Sequence, residues 1–425
     1  MIYSLNQAQI IENTDPIFKS PHRGDLGGLH NLMKKLFILT VLLSTISLCK
    51  AEDINKFNYI IGTQTIGPKY QFTNESMLIE TARQIRAMGS NILKITLDSK
   101  QQNLSGELKT LKDVVQKDTS MQKVLSMDFS YYFFWAYELS SKTGKPVNSF
   151  IDGLTDAEAD DAYKQMYDLS CYLLTKFSGT GKAFYLGNWE GDWHLFRNYN
   201  IKQEPDPAAI TGMTRWLQVR QKAVDDAKRD TNHKNVQLYF YVELNQSAIA
   251  MEGKTCVANS ILPTVNPDFV SFSSYDATNP PKSYEEMQST LTKALNHIES
   301  KLQKKAGLPD GKRVFIGEFG WPEIKTTQTL QVTKTKWVAR TAMVYGCPFV
   351  LWWEMYNNEI DAKTNQQIGY WLITDKNEKT QLYFVLQAFY KESREYLKQF
   401  KNKNKKLPSQ QQYHKDALEF ESLKL

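Results

Sequence analysis

The feature that most constrains the fold is a repeated alternation of short apolar, β-prone segments with longer amphipathic segments across residues 57–398. Eight of the short segments are rich in β-branched or aromatic residues, which is typical of buried strands. Eight strands, each followed by a helix over ~340 residues, predict a (β/α)₈ TIM barrel of the α/β class, formed by a single domain. The predicted strands are 59–66, 91–97, 124–135, 183–188, 236–244, 269–275, 313–317 and 348–353.

Helix-start and helix-stop signals support the same alternation. Thr155 with Glu158, and Ser283 with Glu286, have the spacing of capping boxes, and Gly89 is a suitable end for the helix predicted at 76–88. An open, doubly wound sheet is the competing α/β architecture. No glycine-rich phosphate loop follows the first strand, so the closed barrel is preferred.

Both ends of the chain differ from this pattern. Lysines at 34 and 35 precede an apolar run at 36–48, and Ala51 follows, which predicts a secretory signal peptide at 33–51 and a secreted or periplasmic protein. An uncleaved anchor is the alternative, although we expect no stable membrane insertion after cleavage. Residues 1–32 are interpreted as a leader or a mis-assigned start. The basic segment 399–425 is predicted to be a disordered tail.

Charge and cysteine content exclude several function classes. The formal net charge is +6, but no RNA- or DNA-binding motif accompanies it, so no nucleic-acid partner is expected. Cys171, Cys256 and Cys347 remain after signal cleavage, and their odd number and irregular spacing indicate neither a disulfide framework nor a zinc site. We expect no metal and no cofactor. The sequence carries no signal for an oligomeric state.

Two stretches begin as apolar strands and then break into glycine, acid and tryptophan. They are 186–193, which contains Glu190, and 314–322, which contains Glu318. Barrel enzymes place their active sites at the carboxyl ends of the strands, so the two glutamates are expected at one mouth. Glycoside hydrolysis requires two such carboxyl groups beside the scissile bond. The structural alternative, that each glutamate is an ordinary salt-bridge partner, applies more readily to Glu190 than to Glu318.

Other polar and aromatic residues near the predicted strand ends are candidates for binding substrate. Sugar rings present apolar C–H faces that lie flat on tryptophan and tyrosine, whereas histidines are scarce here and no G-x-S-x-G elbow occurs. Alternation along the last strand predicts that one of its paired tryptophans faces the barrel while the other is structural. The candidates are Tyr131, Asn188, Trp189, Asp192, Glu243, Tyr275, Trp321, Trp352, Trp353 and Glu354.

The stretches 316–321, 351–354 and 369–375 resemble the clan A retaining β-glycoside hydrolases, a cellulase- and mannanase-like superfamily of (β/α)₈ barrels. The resemblance covers about residues 57–398 and implies that Glu318 is the nucleophile and Glu190 the acid/base. It also implies that Asn188 binds a sugar hydroxyl, that Tyr275 donates to Glu318, and that Trp353 or Trp352 floors the site. One departure is that Trp189 separates Asn188 from Glu190, which leaves Asp192 and Glu243 as alternative acids.

The sequence therefore predicts an exported, divergent glycoside hydrolase that cleaves a β-linked oligo- or polysaccharide by a retaining mechanism. Retention requires carboxyl groups ~5–5.5 Å apart, and inversion ~6.5–9.5 Å. Two other functions remain open. One is a non-catalytic carbohydrate-binding barrel, and the other is a barrel of unrelated chemistry, such as a lyase or a deacetylase.

Overall fold

The computed structural model describes residues 53–97, 108–139, 150, 152–196 and 199–425. Eight parallel strands pair in chain order, and the last pairs with the first, so the sheet closes into a barrel. The predicted (β/α)₈ fold is confirmed. The strands are β1 Ile61–Gln64, β2 Ile92–Thr96, β3 Tyr131–Trp135, β4 Ala183–Gly187, β5 Gln237–Leu244, β6 Phe269–Ser273, β7 Val314–Phe319 and β8 Val350–Trp352.

Helices follow the strands and cover the barrel. The capping box predicted at Thr155 and Glu158 is present, while Ser283 accepts a hydrogen bond from the Glu286 N–H without the reciprocal bond. The helices are α1 Met77–Met88, α2 Leu111–Lys117, α3 Thr119–Ser126, α4 Asp156–Lys176, α5 Gly191–Leu195, α6 Pro207–Asp230, α7 Ser247–Met251, α8 Leu262–Val265, α9 Tyr275–Thr278, α10 Tyr284–Glu299, α11 Gln328–Tyr345, α12 Gln381–Asn404 and α13 Gln410–Ala417.

The third strand begins later than predicted. Asp118 caps α3, whose apolar face buries Met121, Val124 and Leu125, so the apolar residues before position 127 are helical. A short apolar run does not by itself distinguish a buried strand from a buried helix. Tyr131 is therefore the first residue of β3 and lies at the amino-terminal end of the barrel, the end opposite to the one at which barrel enzymes bind substrate.

The prediction of a disordered tail at 399–425 is wrong. Helix α12 continues to Asn404, and α13 packs against the barrel domain through Tyr413, which is fully buried. The Tyr413 ring lies 5.0 Å from that of Phe57, and its hydroxyl is 2.7 Å from the Ser393 hydroxyl. Two apolar positions, Tyr413 and Ala417, are enough to bury one face of this otherwise polar helix.

The leader and signal peptide predicted at 1–32 and 33–51 lie outside the described residues. In the part of the chain that the structure covers, no helix combines the length and the hydropathy needed to cross a membrane. Cys171, Cys256 and Cys347 are free thiols.

The interior of the barrel is filled with aromatic rings in its amino-terminal half. Phe133 and Tyr185 stack with their centroids 4.4 Å apart, and Phe315 and Phe349 close the same layer. Such a layer makes the barrel a packed core with no pore through it. Polar side chains that lie above this layer therefore face the carboxyl-terminal mouth.

Candidate active site

Glu190 and Glu318 reach the same mouth of the barrel from two strands that are not neighbours. Glu318 lies within β7, and Glu190 follows β4 as the residue before α5. Ser273, the last residue of β6, is the pairing partner of Glu318 at a point where the β6–β7 register shifts by one residue. Its hydroxyl donates to Glu190 Oε1 at 2.5 Å. The fold therefore brings together two carboxyl groups that are more than a hundred residues apart in the sequence.

A buried ion pair lies beside these carboxyl groups. Lys94 Nζ on β2 is 2.7 Å from Glu243 Oε2 on β5 and 3.1 Å from Glu318 Oε1, and none of the Lys94 or Glu243 side chain is exposed. The ammonium also donates to the Gly317 carbonyl at 3.2 Å and lies 4.6 Å from the centre of the Trp135 ring. A fully buried lysine is rare unless it is paired.

Glu243 is fully occupied by hydrogen bonds. Its Oε2 accepts from the Ser271 hydroxyl at 2.6 Å as well as from Lys94, and its Oε1 accepts from the Glu190 N–H at 3.1 Å. Glycine at position 317 makes room for this network, because a Cβ there would lie 1.7 Å from Ser271 Oγ and 3.0 Å from Glu243 Oε2. The glycine of the Gly-Glu-Phe-Gly motif is thus explained by close packing.

Burial has the largest effect on the pKa of both glutamates at the mouth. It raises the pKa of Glu190 to about 8, against the smaller lowering effects of the Ser273 hydroxyl and of Lys94. It also raises the pKa of Glu318 above its usual range, opposed chiefly by the charge of Lys94. Two neighbouring carboxyl groups resist joint ionisation, so the pair retains a proton near neutral pH. Lys94 contacts Glu318 directly, and this contact favours the charged form of Glu318.

Aromatic side chains form the walls of the mouth. Trp353 lies inside the barrel, with its ring centroid 6.0 Å from that of Trp135, which in turn lies 6.3 Å from that of Trp189. On the other side, the rings of Tyr275 and Tyr370 are 6.3 Å apart, and both residues are partly exposed. Burial is the main cause of the raised pKa of both tyrosines, and the charges on Glu190 and Glu318 add to it, so both rings lie near these carboxyl groups.

Tyr370 was not among the residues predicted to bind substrate. It lies in the long loop after β8 and not at the end of a strand, whereas the predicted residues were those near strand ends. The signal in the sequence was the aromatic segment that begins at Gly369, which resembles the segment that closes related barrels. Gly369 has a positive φ of 88°, and its turn brings the following tyrosine to the mouth.

Three residues that were predicted to bind substrate make hydrogen bonds to backbone groups instead. Asn188 Oδ1 accepts from the Glu243 N–H, and its Nδ2 donates to the Glu243 carbonyl, which fastens β4 to β5. Asp192 is buried and accepts three backbone N–H groups, from residues 245, 246 and 257. Glu354, which follows a cis peptide bond, is buried and accepts from the Ile66 N–H at 2.8 Å.

The paired tryptophans at the end of β8 and just after it face opposite sides, as the alternation predicted. Trp353 faces the barrel interior, whereas Trp352 packs in the outer layer between strands and helices. Trp321 lies in that outer layer too, with its ring centroid 6.3 Å from that of Trp352. Trp321, Trp352 and Tyr131 were predicted to bind substrate, but none of them lies with the aromatic residues that line the mouth.

His194 packs behind the aromatic residues of the mouth. Its Nε2 is 2.9 Å from the Tyr137 hydroxyl, its ring meets Trp189 edge-on at 5.5 Å, and burial lowers its pKa to about 4. The histidine is therefore neutral and helps to fix the Trp189 ring. Within the described residues, no cluster of three or more histidine, cysteine or acidic side chains could hold a metal ion.

No family model matches the chain, and no curated protein matches it. Solved structures do match. The GH5_18 glycoside hydrolase of Streptomyces cattleya in complex with Manβ1-4GlcNAc is 10% identical, with a TM-score of 0.54 and coverage of 79% of this chain and 80% of that one. Its complex with GlcNAc matches with a TM-score of 0.55 at the same identity and coverage. The likeness shows a shared barrel fold.

A β-glucuronidase from Bacteroides uniformis is 9% identical, with a TM-score of 0.50, and the match covers 79% of this chain and 35% of that one. At such identities, this match too concerns the fold alone.

Proposed function

We propose that the protein is a divergent clan A glycoside hydrolase that cleaves β-glycosidic bonds with retention. The observation that carries the proposal is the unequal environment of two carboxyl groups at one mouth. Glu318 contacts a buried ammonium at 3.1 Å, whereas Glu190 contacts a hydroxyl at 2.5 Å and is largely desolvated. One charged and one protonated carboxyl group is the state that retaining hydrolysis requires.

In this mechanism Glu318 attacks the anomeric carbon and forms a covalent glycosyl-enzyme. Glu190 gives its proton to the leaving oxygen and then removes a proton from the water that releases the sugar. The tryptophan and tyrosine walls fit a substrate whose rings have apolar faces, and the similar Streptomyces cattleya structures hold Manβ1-4GlcNAc and GlcNAc. We therefore propose a carbohydrate substrate with β linkages.

The alternative acids are disfavoured by their contacts. Both oxygens of Glu243 accept hydrogen bonds and its side chain has no exposed surface. Asp192 is held by three backbone N–H groups in the same way. A general acid must reach the glycosidic oxygen. Glu190 retains 6% exposure at the mouth and is our assignment.

Release of 4-nitrophenol from a panel of 4-nitrophenyl β-glycosides tests the proposal. We expect release by the wild-type protein, and a loss of at least about 10³-fold in Glu318→Gln, because the amide cannot act as a nucleophile. The matched control is Glu378→Gln, which changes an exposed glutamate and should leave release unchanged. Equal release by Glu318→Gln and wild type contradicts the mechanism.

A second candidate function is a carbohydrate-binding barrel without catalysis. It is favoured by the position of Glu190, which lies outside β4 and is separated from Asn188 by Trp189. Calorimetry with the free sugars that correspond to the same panel would then show binding, although no 4-nitrophenol is released from the glycosides. Release that depends on Glu318 rules this candidate out.

We also propose that residues 33–51 direct export and are removed after Ala51. The support is the sequence pattern of two lysines, a short apolar run and a small residue. Mass spectrometry of the protein recovered from the exported fraction should give an amino terminus at Glu52. Recovery of the protein with residues 33–51 intact contradicts cleavage.

A further inference from the structure

We propose that Lys94 and Glu243 are positioning residues, which hold the main chain of Glu190 and the carboxylate of Glu318 in register across the barrel. The inference rests on the proposed hydrolase function. The two residues come from β2 and β5, which are separated by two strands around the barrel, and meet at 2.7 Å beneath the mouth. Neither is assigned to contact the sugar.

Glu243 holds the loop that carries Glu190. Its Oε1 accepts the Glu190 N–H, and its own N–H and carbonyl are both bonded by the Asn188 amide. Gly191 lies against the same residue, since a Cβ there would be 2.9 Å from the Glu243 carbonyl oxygen. Residues 188, 190 and 191 thus all contact Glu243, and Trp189 lies between them in the chain.

Lys94 uses all three of its N–H donors within the site, and one of them holds Glu318. An ammonium has three N–H donors, and Lys94 directs them to Glu243 Oε2, Glu318 Oε1 and the Gly317 carbonyl. No donor remains for a substrate hydroxyl. The lysine therefore acts on the reaction through Glu318, which it orients and keeps ionised, rather than by binding sugar.

A role in the site accounts for the burial of this pair better than a role in stability. A buried ion pair seldom stabilises a fold more than apolar residues of the same volume would. Here a pair of opposite charges lies next to a layer of packed aromatic rings. The pair is instead placed where it contacts one catalytic candidate through a side chain and the other through the backbone.

The charges around the mouth give the two residues opposite effects. Lys94 lowers the pKa of both Glu190 and Glu318, and Glu243 raises both. Loss of the lysine charge should therefore raise both pKa values, and loss of the Glu243 charge should lower both. Other titratable groups that interact with Glu190 or Glu318 are Asp192, Tyr275, Glu354 and Tyr370. Tyr137 and Tyr241 interact with Glu243.

The pH dependence of kcat/KM on the best 4-nitrophenyl β-glycoside tests the proposal. In Glu243→Gln, which keeps an oxygen acceptor, we expect both limbs of the bell-shaped profile to move to lower pH by about one unit. In Lys94→Met both limbs should move to higher pH by a similar amount. In both variants kcat should fall more than KM rises, and Lys94→Arg should restore the limbs towards their wild-type positions.

A purely structural role predicts something else. Variants that lose activity while both limbs stay in place, or move in the same direction in the two variants, overturn the proposal. If Lys94→Met does not fold, the double variant Lys94→Met/Glu243→Gln removes both charges at once. Its limbs should then lie at higher pH than those of Glu243→Gln alone, and limbs in equal positions overturn the proposal too.

A different result would show that the hydrolase proposal itself fails. If the wild-type protein hydrolyses none of the glycosides, the proposed function fails. The same variants can then be titrated by NMR after labelling glutamate carboxyls with carbon-13 and assigning the signals with Glu190→Gln and Glu318→Gln. Opposed shifts of those carboxyl pKa values still support the positioning pair, and their absence removes it.

Discussion

The Ser273 hydroxyl donates a hydrogen bond to Glu190 at 2.5 Å, and the Ser273 backbone pairs with that of Glu318 after a one-residue shift in register. One residue at the end of β6 thus contacts Glu190 through its side chain and the strand of Glu318 through its backbone. Its hydroxyl also lowers the pKa of Glu190, against the larger effect of burial. The hydrogen bond therefore helps to place the acid and to set the pH at which it ionises.

Ser273→Ala should move the basic limb of the activity profile to higher pH, because Glu190 then loses a donor that stabilises its charged form. It should also lower the free energy of unfolding by about 1 kcal/mol, the usual cost of one such hydrogen bond. Activity profiles and urea denaturation measure the two effects. Ser300→Ala removes an exposed hydroxyl from the end of α10 and is the control. An unshifted limb in Ser273→Ala contradicts this role.

The raised pKa of Glu190 also predicts how stability depends on pH. A carboxyl group whose pKa is about 8 in the folded protein and near 4.5 in the unfolded chain binds its proton more tightly when folded. Its contribution is therefore complete below about pH 4.5 and is lost as the pH rises through about 8.

The free energy of unfolding should consequently fall between about pH 5 and 8, by up to a few kcal/mol from this group. Urea denaturation at a series of pH values measures the slope. Glu190→Gln should reduce the slope, since its side chain cannot ionise, and Glu378→Gln should not. A slope that is unchanged in Glu190→Gln assigns the proton to another group.

Gly317→Ala should be strongly destabilising. A methyl group there would lie 1.7 Å from Ser271 Oγ, so the serine must move and the Glu243 network with it. Overpacking of this kind typically costs about 1–3 kcal/mol. Ser271→Ala removes the clashing oxygen, and the double variant should recover part of the loss in a double-mutant cycle. Additive effects of the two changes would mean that the clash is relieved elsewhere.

The C-terminal helix should contribute to stability. Tyr413→Ala removes a fully buried ring from the contact with Phe57 and leaves the Ser393 hydroxyl without its tyrosine partner. We expect a loss of about 3–5 kcal/mol in the free energy of unfolding. Gln411→Ala, on the exposed face of the same helix, is the matched control. Equal stability of the two variants would indicate that α13 is not docked in solution.

The barrel was predictable because its strands are buried on both faces and appear as apolar runs, each followed by a helical pattern. Glu190 and Glu318 were found because each breaks such a run with glycine and tryptophan. The start of β3 was not found, since the apolar residues of α3 precede it with no turn signal between them. Tyr413 and Ala417 were too few to predict that α13 would pack.

Lys94 could not be predicted from the sequence. A lysine in a five-residue strand suggests an exposed position, and its burial depends on Glu243, which lies on another strand far along the chain. Asn188 and Asp192 have the residue types of sugar ligands, but their partners turn out to be backbone groups of β5 and of the segment after it. Side-chain chemistry indicated the region of the site, while the contacts decided each role.

Covalent trapping tests the central claim most directly. The protein is incubated with a panel of 2-deoxy-2-fluoro-β-glycosyl fluorides, which form the glycosyl-enzyme but release it slowly, and its peptides are mapped by mass spectrometry. We predict a stoichiometric sugar adduct on Glu318 in the wild-type protein and none in Glu318→Gln. An adduct on a different carboxyl group, or aryl glycoside hydrolysis that continues in Glu318→Gln, would contradict the account.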